Sequence, residues 1–319
     1  KRKKKAPPKL PDLFGLSAIL AKKGFDPNDV LETYQKMYES EIVSYPRTED
    51  KTVTPEQFNE LLPLTDEIAK LVGIDPSYLT YRQPRKTHVK AQGAHGANRP
   101  GLHVPSSLDD LSKFGKPARE IYILLAKSWL SLLAPDYEYD SYAAHLKSSP
   151  EYSSIANVSA FLGYKAILGA EEDEEPEATD SIVDGEIADP FVYEGANKRP
   201  QMPTMEWLKK RLEKFDVGTG ATRTSTLADI TDGSKRSLLI NTKGKLTMTE
   251  VGVISLFLLK DCMIADPSET ERLFKDMEKI GRFEMSEEEL LSGFDRLFEH
   301  DSAKMIDNAK DLKPAPGTA

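Results

Sequence analysis

The spacing of apolar residues predicts a helical hairpin near the start of the chain. Leu13, Leu16 and Leu20 recur at helical spacing, and Gly24 ends the run. After the turn at Asp26-Pro27, a second apolar stripe follows the same period. It consists of Val30, Leu31, Tyr34, Met37 and Tyr38. The two stripes predict two helices that bury their apolar faces in a core.

Further helices are predicted after residue 50. Thr54-Pro55-Glu56-Gln57 combines a capping hydroxyl, a proline in the first turn and a glutamine that completes a capping box. The helix it opens is expected to run to about Leu62, another starts at Thr65, and a longer one opens at Pro117. Residues 81–105 hold few helix formers and many Gly, Pro and basic residues, which predicts a loop with short strands.

The middle of the chain predicts β structure, and the last third predicts helices again. Strands are expected over 139–146 and 155–167, followed by an acidic loop and a short apolar run at 190–193. Beyond Pro200 the order is helix, helix, hairpin around Thr242-Lys243-Gly244, and helix, which is typical of a winged-helix arrangement. Two more amphipathic helices are expected between 266 and 298.

Together these elements predict an α+β fold that is predominantly helical. Helix-turn-helix and winged-helix-like domains are joined by a β-rich segment. The predicted division is a basic tail (1–11), a first helical domain (12–135), a β-rich segment with an acidic loop (136–200), a helical, winged-helix-like domain (201–308) and a tail (309–319).

Composition places the chain among globular proteins. Of its 319 residues, 39% are hydrophobic and 30% are charged, and no apolar run reaches the roughly 18 residues of a membrane span. A single cysteine, Cys262, excludes an internal disulfide and a cysteine-based metal cluster. We therefore expect a cytoplasmic protein without a membrane partner. Because the sequence starts at Lys1 without a methionine, we expect it to be part of a longer polypeptide.

Charge is distributed unevenly along the chain. The net charge is −9, but residues 171–189 hold ten acidic side chains and no basic one, so the remainder carries +1. Residues 82–103 hold five Lys and Arg, three histidines and no acid. The local basic charge favours a nucleic-acid partner. The acidic run is either a solvated loop or, as a sharper alternative, a DNA mimic or partner-binding strip.

The candidate chemistry lies in Ser44-Tyr45-Pro46-Arg47-Thr48-Glu49-Asp50. The phenol of Tyr45 can attack phosphorus, and the guanidinium of Arg47 presents a planar fork of donors that suits a phosphate diester. Pro46 pushes Tyr45 out of the α region, so we expect a stiff, extended turn with Tyr45 and Arg47 on the same side. Taken alone, the pattern is also that of a buried tyrosine beside a surface arginine.

This segment resembles the active-site tyrosine segment of type IA DNA topoisomerases. That family has a helical hairpin ending in Leu-Tyr-Glu, followed by Ile-x-Tyr-x-Arg-Thr-Asp-Ser. Here the corresponding residues are Met37-Tyr38-Glu39 and then 42–50, with Glu49-Asp50 in place of Asp-Ser. The resemblance implies that Tyr45 is the nucleophile and that Arg47 is catalytic. It also likens the β-rich segment to the arch of these enzymes.

A second segment resembles the same family in the same order. Gly93-Ala94-His95-Gly96-Ala97-Asn98-Arg99-Pro100 corresponds to Ala-His-Glu-Ala-Ile-Arg-Pro, with Gly96 and Asn98 in place of Glu and Ile. The resemblance implies that His95 is catalytic and lies by the DNA backbone near the scissile phosphate. Arg99 and the lysines of the basic loop, Lys86 and Lys90, are expected to bind DNA. The replacement at Gly96 leaves the role of the family's glutamate unassigned.

The third segment, 218–226, resembles Gly-Ile-Gly-Thr-Pro-Ala-Thr-Arg-Ala-Ser-Ile. It is predicted where a loop enters a helix, so backbone N–H groups and the helix dipole face an anion. Thr219, Thr222 and Arg223 are therefore expected to bind the phosphates of single-stranded DNA. An ordinary helix cap is the alternative, and both can hold.

The resemblance implies a reaction and its requirements. One DNA strand is cut and rejoined through a 5′-phosphotyrosine without ATP, acting on single-stranded regions and negatively supercoiled duplex. Family order places a TOPRIM domain that holds Mg²⁺ ahead of Lys1, and we find no metal-ligating pattern within this sequence. Two other hypotheses remain: a non-catalytic module that binds single-stranded DNA, and a helical interaction protein with a winged helix.

Overall fold

The computed structural model describes residues 1–48, 50–91, 95–169, 183–187, 194–197, 199–218 and 220–312. Eleven helices lie in this part of the chain: α1 Leu13–Lys22, α2 Pro27–Glu39, α3 Pro55–Leu61, α4 Thr65–Leu71, α5 Ala118–Ser131, α6 Lys165–Leu168, α7 Met205–Lys214, α8 Gly220–Ile230, α9 Glu250–Leu258, α10 Pro267–Gly281 and α11 Glu287–Lys310. Its strands are β1 Arg2–Lys5, β2 Tyr137–His145, β3 Ser153–Phe161, β4 Leu239–Thr242 and β5 Lys245–Met248.

The chain forms two compact units. The first contains Lys1–Asp12 and Thr33–Gln201, and the second contains Leu13–Glu32 and Met202–Ala319. The first unit joins residues 33–135 with 136–200, and Leu13–Glu32 belongs to the second. The predicted division of the chain into domains stays a prediction.

The core of the first unit forms around α5. Trp129 is fully buried, and its ring lies 5.5 Å from that of Phe58 on α3. Its indole Nε1 donates to the hydroxyl of Thr65 at the start of α4 (3.4 Å), so the one polar atom of this large side chain is satisfied. Burial of each such side chain contributes about 1.5–3 kcal/mol. The predicted capping box of Thr54 and Gln57 is present at the start of α3.

A three-stranded antiparallel sheet of order β1-β2-β3 belongs to the same unit. Strand β1 comes from the segment that was predicted as a basic tail, which is a correction for residues 2–5. The strand pairs antiparallel with β2 along its whole length, with oppositely charged side chains opposite each other at two positions. The guanidinium of Arg2 binds Asp140 (2.8 Å), and Lys4 binds Glu138 (2.7 Å).

Strand β3 ends earlier than predicted, at Phe161 rather than at 167. Gly163 follows with φ +51°, and a Cβ at this position would overlap the carbonyl oxygen of Asp136. This left-handed glycine turns the chain out of the sheet and into the short helix α6. The predicted apolar run at 190–193 lies outside the described residues.

The core of the second unit brings α1 together with α7, α8 and the β4–β5 hairpin. Its buried residues are Phe14, Ala18, Ala21, Met205, Leu227 and Leu246. The hairpin predicted around 242–244 is present, with Thr242 paired to Lys245. Helix α11 runs to Lys310, beyond the predicted end near 298.

The structure is therefore mixed α and β, with 48% helix against 12% strand, so the helical majority is confirmed. Its sheets are small. The winged-helix interpretation of the second unit stays a prediction. Within the described ranges, no helix combines the length and the apolar character needed to cross a membrane.

One histidine ties the start of the chain to the basic loop of the first unit. The buried Nε2 of His88 lies 3.1 Å from the carbonyl oxygen of Pro7 and 3.2 Å from that of Pro8. Because carbonyl oxygens only accept, Nε2 carries the proton, and Nδ1 accepts from the hydroxyl of Thr87 (2.9 Å). Burial lowers the pKa of His88, and the positive charges of Arg85 and Lys9 lower it further.

This lowered pKa predicts acid sensitivity. The unfolded state, with an ordinary imidazole pKa of about 6.5, binds the proton more readily than the folded state. The contribution of His88 to the free energy of unfolding is therefore complete above about pH 6.5 and decreases as the pH falls below that value. We expect His88→Gln, whose amide can still donate at the Nε2 position, to make the melting temperature depend less on pH between pH 8 and pH 5. Identical pH profiles for the two proteins would contradict this expectation.

Candidate active site

The segment that carries Tyr45 follows α2 and pairs through an isolated bridge with a segment more than fifty residues later. Val43 forms an antiparallel bridge with Pro100, and the Gly101 N–H donates to the Ile42 carbonyl (2.8 Å). A Cβ at Gly101 would overlap the carbonyl oxygen of Glu41, so the close approach of the two backbones requires glycine here. This pairing places the His95 segment beside the tyrosine.

Ser44, immediately before the tyrosine, reinforces the pairing with three hydrogen bonds. Its N–H donates to the Arg99 carbonyl (3.0 Å), and its hydroxyl accepts from the Arg99 N–H (3.0 Å). The same hydroxyl donates to the Ala97 carbonyl (3.4 Å). Because these bonds fix the residue next to Tyr45, the position of the tyrosine backbone is set by the fold.

The residues after Tyr45 form a tight turn. The Thr48 N–H donates to the Pro46 carbonyl (3.1 Å), which closes a three-residue turn centred on Arg47. The Thr48 hydroxyl in turn accepts from the Asp50 N–H (3.1 Å). This turn bends the chain at Arg47. That Tyr45 and Arg47 present their side chains on the same side stays a prediction. Arg47 itself is exposed.

The Tyr45 ring lies between two other aromatic rings. The centroid of the Tyr38 ring, at the end of α2, is 5.5 Å from that of Tyr45, and the two ring planes meet at 74°. The centroid of the His95 imidazole is 4.7 Å from that of Tyr45, with an angle of 44° between the planes. Tyr45 is half-buried and His95 is exposed. The two side chains singled out from separate motifs therefore meet in space, and a phosphate that reaches one is within reach of the other.

Two side chains that the sequence argument did not assign to the site hold the backbone of His95. A carboxylate oxygen of Asp50 accepts from the N–H groups of His95 (3.3 Å) and Gly96 (2.9 Å). The Gln57 amide donates to the His95 carbonyl (3.0 Å). Gln57 was recognised only as a helix cap and Asp50 only as a departure from the family pattern, because neither contact is local in sequence.

Arg99 is half-buried, and its guanidinium Nη1 donates to the Ala97 carbonyl (3.3 Å). Burial lowers the pKa of Arg99, while Tyr34 and Glu60 act in the opposite direction. An arginine remains charged at neutral pH in spite of such a shift. Arg99 therefore brings a cation to the tyrosine strand, although part of its donor set is already used by the protein.

The basic loop offers less free charge than its composition indicates. Arg85 is buried, donating to the carbonyls of Leu132 (2.8 Å) and Ala134 (2.5 Å) and to Asp136 (2.6 Å). Arg82 pairs with Asp66. Lys86 and Lys90, the two lysines predicted to bind DNA, are both exposed.

The third motif begins α8 in the second unit, as predicted. Thr222 is exposed, and the Nε of the half-buried Arg223 donates to the Val217 carbonyl (2.7 Å) in the preceding loop. Gly218 has φ +64°, a conformation that favours glycine. Thr219 lies outside the described residues, as does most of the acidic run at 171–189.

Metal ligands do not converge in the part of the chain that the structure describes. No three side chains from His, Cys, Asp and Glu come close enough together there to hold a metal ion. The acidic groups at the tyrosine site fit structural roles instead, as Asp50 does with two backbone N–H groups. Within the described ranges, therefore, no group of three such ligands is present for Mg²⁺.

The sequence pattern of the DNA topoisomerase family matches residues 1–292. The chain belongs to the type IA DNA topoisomerases. It is 26% identical over 278 residues to DNA topoisomerase 3 of Bacillus licheniformis, covering 76% of this chain and 37% of that protein. It is 23% identical over 299 residues to DNA topoisomerase 1 of Thermoplasma acidophilum, covering 91% of this chain and 37% of that protein.

The topoisomerase fold is also shared with a solved structure. Full-length topoisomerase I from Thermotoga maritima matches with a TM-score of 0.65 at 21% identity, over 94% of this chain and 50% of that one. This topoisomerase chain thus spans about half the length of that structure, and between 21% and 37% of the length of curated relatives such as DNA topoisomerase 3 of Staphylococcus saprophyticus and the two above.

Proposed function

We propose that the protein cuts and rejoins one strand of DNA through a covalent bond to Tyr45. The observation that carries the proposal is the 4.7 Å contact between the rings of Tyr45 and His95, which unites two of the family motifs in one site. Membership in the type IA family supports the same reaction. Trapping the covalent protein–DNA complex tests it, and the complex should be lost with Tyr45→Phe.

In the proposed step, the phenolic oxygen of Tyr45 attacks a backbone phosphorus in line with the leaving 3′ oxygen. A phosphorus–oxygen bond to tyrosine forms as the bond to the deoxyribose 3′ oxygen breaks. The phenolic proton is lost and the leaving oxygen takes up a proton. The 3′ hydroxyl later attacks the 5′-phosphotyrosine and reverses every change. The ester retains the energy of the broken linkage, so the cycle needs no ATP.

Arg47 and His95 are proposed to bind the phosphate under attack. Arg47 is exposed at the centre of its turn, and no hydrogen bond or ion pair joins it to another residue in the described ranges. Its five donors are therefore open to a diester, on which charge builds up in the transition state. His95 adds a single donor from its exposed imidazole.

The remaining strand contacts are proposed for Lys86, Lys90 and Arg99 in the first unit and for the start of α8 in the second. Thr222 and Arg223 lie in the first turn of α8, where the positive end of the helix dipole attracts phosphate. Thr219, which precedes them in the same motif, is proposed to act with them. The winged-helix interpretation of this unit is consistent with the same role. The substrates expected are single-stranded regions of DNA, including those that open in negatively supercoiled duplex.

Mg²⁺ is proposed to be held by a TOPRIM domain, on the same polypeptide or another, rather than by the residues of this chain. Tyr45 is assigned the attack on the phosphorus, and Arg47 and His95 are assigned only the binding of the phosphate. The expected location is the cytoplasm, since DNA is the substrate.

Binding to single-stranded DNA should exceed binding to duplex and should weaken as salt rises. Each phosphate contact releases counterions, which gives a slope of about −0.7 in log K against log salt for single strands. We expect the double change Lys86→Ala and Lys90→Ala to reduce the measured slope by about 1 to 1.5.

The matched control removes the same charge elsewhere. Lys210 and Lys275 are paired with Glu206 and Glu271 on their own helices, so Lys210→Ala with Lys275→Ala should leave the slope nearly unchanged. An affinity that stays flat with salt, or equal slope changes for both pairs, would count against the proposed binding surface.

A further inference from the structure

Two departures from the family pattern lie next to each other in space. Asp50 stands where the pattern has serine, and Gly96 stands where it has glutamate. The carboxylate of Asp50 accepts from the N–H of Gly96 at 2.9 Å. The residue that lacks the family's carboxylate is thus held through its N–H by a carboxylate that the family pattern does not have.

Gly96 fits this arrangement for a steric reason. Its φ is +69°, and a Cβ at this position would overlap Oε1 of Gln57. Gln57 cannot swing away without cost, because Oε1 accepts from the Thr54 N–H (3.1 Å) in the capping box of α3. Any side chain at position 96 therefore strains its backbone and disturbs the cap at the same time.

These contacts fix the backbone of His95. Its N–H is held by Asp50 and its carbonyl by Gln57, and the next N–H is held by Asp50 again. The Ala97 N–H donates to the Thr52 carbonyl (2.9 Å), which fixes the chain one residue further on. Because the backbone of His95 is held on both sides, the imidazole can move only by rotation about the side-chain torsions.

We propose that Asp50 and Gln57 are positioning residues that hold His95 against Tyr45. The inference rests on the proposed function, because it assigns the contact between the two rings a role in strand cleavage. Neither residue touches the reacting atoms in this account. Both act through the main chain of His95, and Gly96 is the residue that allows them to do so.

The first test measures the position of His95 directly. The NMR resonance of His95 Cε1–H, in protein isotopically labelled at histidine, is assigned by its loss in His95→Gln. The ring-current shift that Tyr45 causes is the change of this resonance in Tyr45→Leu. We expect Asp50→Ala and Gln57→Glu to move this resonance towards that of the exposed His145. Asp50→Asn keeps an acceptor oxygen and should retain most of the shift. Resonances that stay at their original positions in Asp50→Ala and Gln57→Glu would overturn the proposal, as would a Tyr45→Leu spectrum without change.

The variants are chosen so that folding does not decide the result. Glutamate at position 57 still accepts from the Thr54 N–H and suits a capping box, but it cannot donate to His95. Asp75→Ala is the matched control for Asp50→Ala, because Asp75 also accepts a backbone N–H, that of Ser77 (2.9 Å), and is exposed. Melting temperatures of all variants are measured on the same preparations.

The second test measures the rate of covalent complex formation at saturating DNA, with the polypeptide as its gene encodes it. We expect Asp50→Ala and Gln57→Glu to lower this rate by about 10- to 100-fold, the range for a misplaced reacting group. Asp50→Asn should recover part of the rate, and DNA affinity should change little.

The two failures are distinguishable. If the wild type forms the complex through Tyr45 but Asp50→Ala and Gln57→Glu react at the wild-type rate, the positioning proposal is wrong and the proposed function stands. If Tyr45→Phe forms the complex as readily as the wild type, the proposed function itself is wrong.

Discussion

Tyr45→Phe is expected to abolish the covalent protein–DNA complex, with a fall in rate of about four to six powers of ten, as for loss of a nucleophile. The change removes one oxygen and keeps the ring, so the contacts of Tyr45 with Tyr38 and His95 remain. Single-stranded DNA binding and the melting temperature should therefore be preserved. The complex is trapped by rapid denaturation and counted on a gel with end-labelled DNA.

Tyr38→Phe is the matched control. Tyr38 is the other half-buried tyrosine of the cluster, with its ring 5.5 Å from that of Tyr45. It lies at the end of α2 rather than on the turn, and we expect its hydroxyl to be dispensable. If Tyr38→Phe loses the complex while Tyr45→Phe keeps it, the nucleophile has been assigned to the wrong ring.

Arg47→Lys is expected to lower cleavage by about one to three powers of ten while DNA binding changes little. Lysine keeps the positive charge but loses the planar fork that binds two phosphate oxygens together. The range is that for removing one stabilising donor from a developing oxyanion. Because Arg47 is exposed, the melting temperature should not change.

Arg119→Lys provides the comparison, since Arg119 is an exposed arginine of the same unit on α5. It should leave both cleavage and stability unchanged. A structural role for Arg47 would give the opposite result, with a lower melting temperature and unchanged cleavage per folded molecule.

Local patterns predicted the helices well because their signals lie within a few residues of one another. The hairpin of α1 and α2, the capping box at Thr54 and the turn at 242–244 are of this kind. Strand β1 could not be predicted in this way. Its basic residues form a strand by backbone pairing with β2, far along the chain, where Asp140 and Glu138 also pair with Arg2 and Lys4.

The candidate site shows the same limit. Motifs that occur in the same order as in the family indicated Tyr45 and His95 as candidate site residues, and the structure places their rings in contact. The sequence could not show that Arg85 donates its hydrogen bonds to backbone carbonyls, because counting charges does not reveal their partners. It could not show the turn at Arg47 or the bonds from Asp50 and Gln57 to His95, since these depend on the folded backbone.

The most direct measurement is the chemical identity of the linkage. Trypsin cuts after Lys36 and Arg47, so the modified peptide covers residues 37–47 and contains both Tyr38 and Tyr45. After nuclease digestion, fragmentation in the mass spectrometer locates the attached nucleotide, and DNA labelled at its 3′ end shows which fragment stays bound. We expect a nucleotide joined through its 5′ phosphate to Tyr45, with the 3′ label on the protein. A nucleotide on Tyr38, or a linkage through a 3′ phosphate, would contradict it.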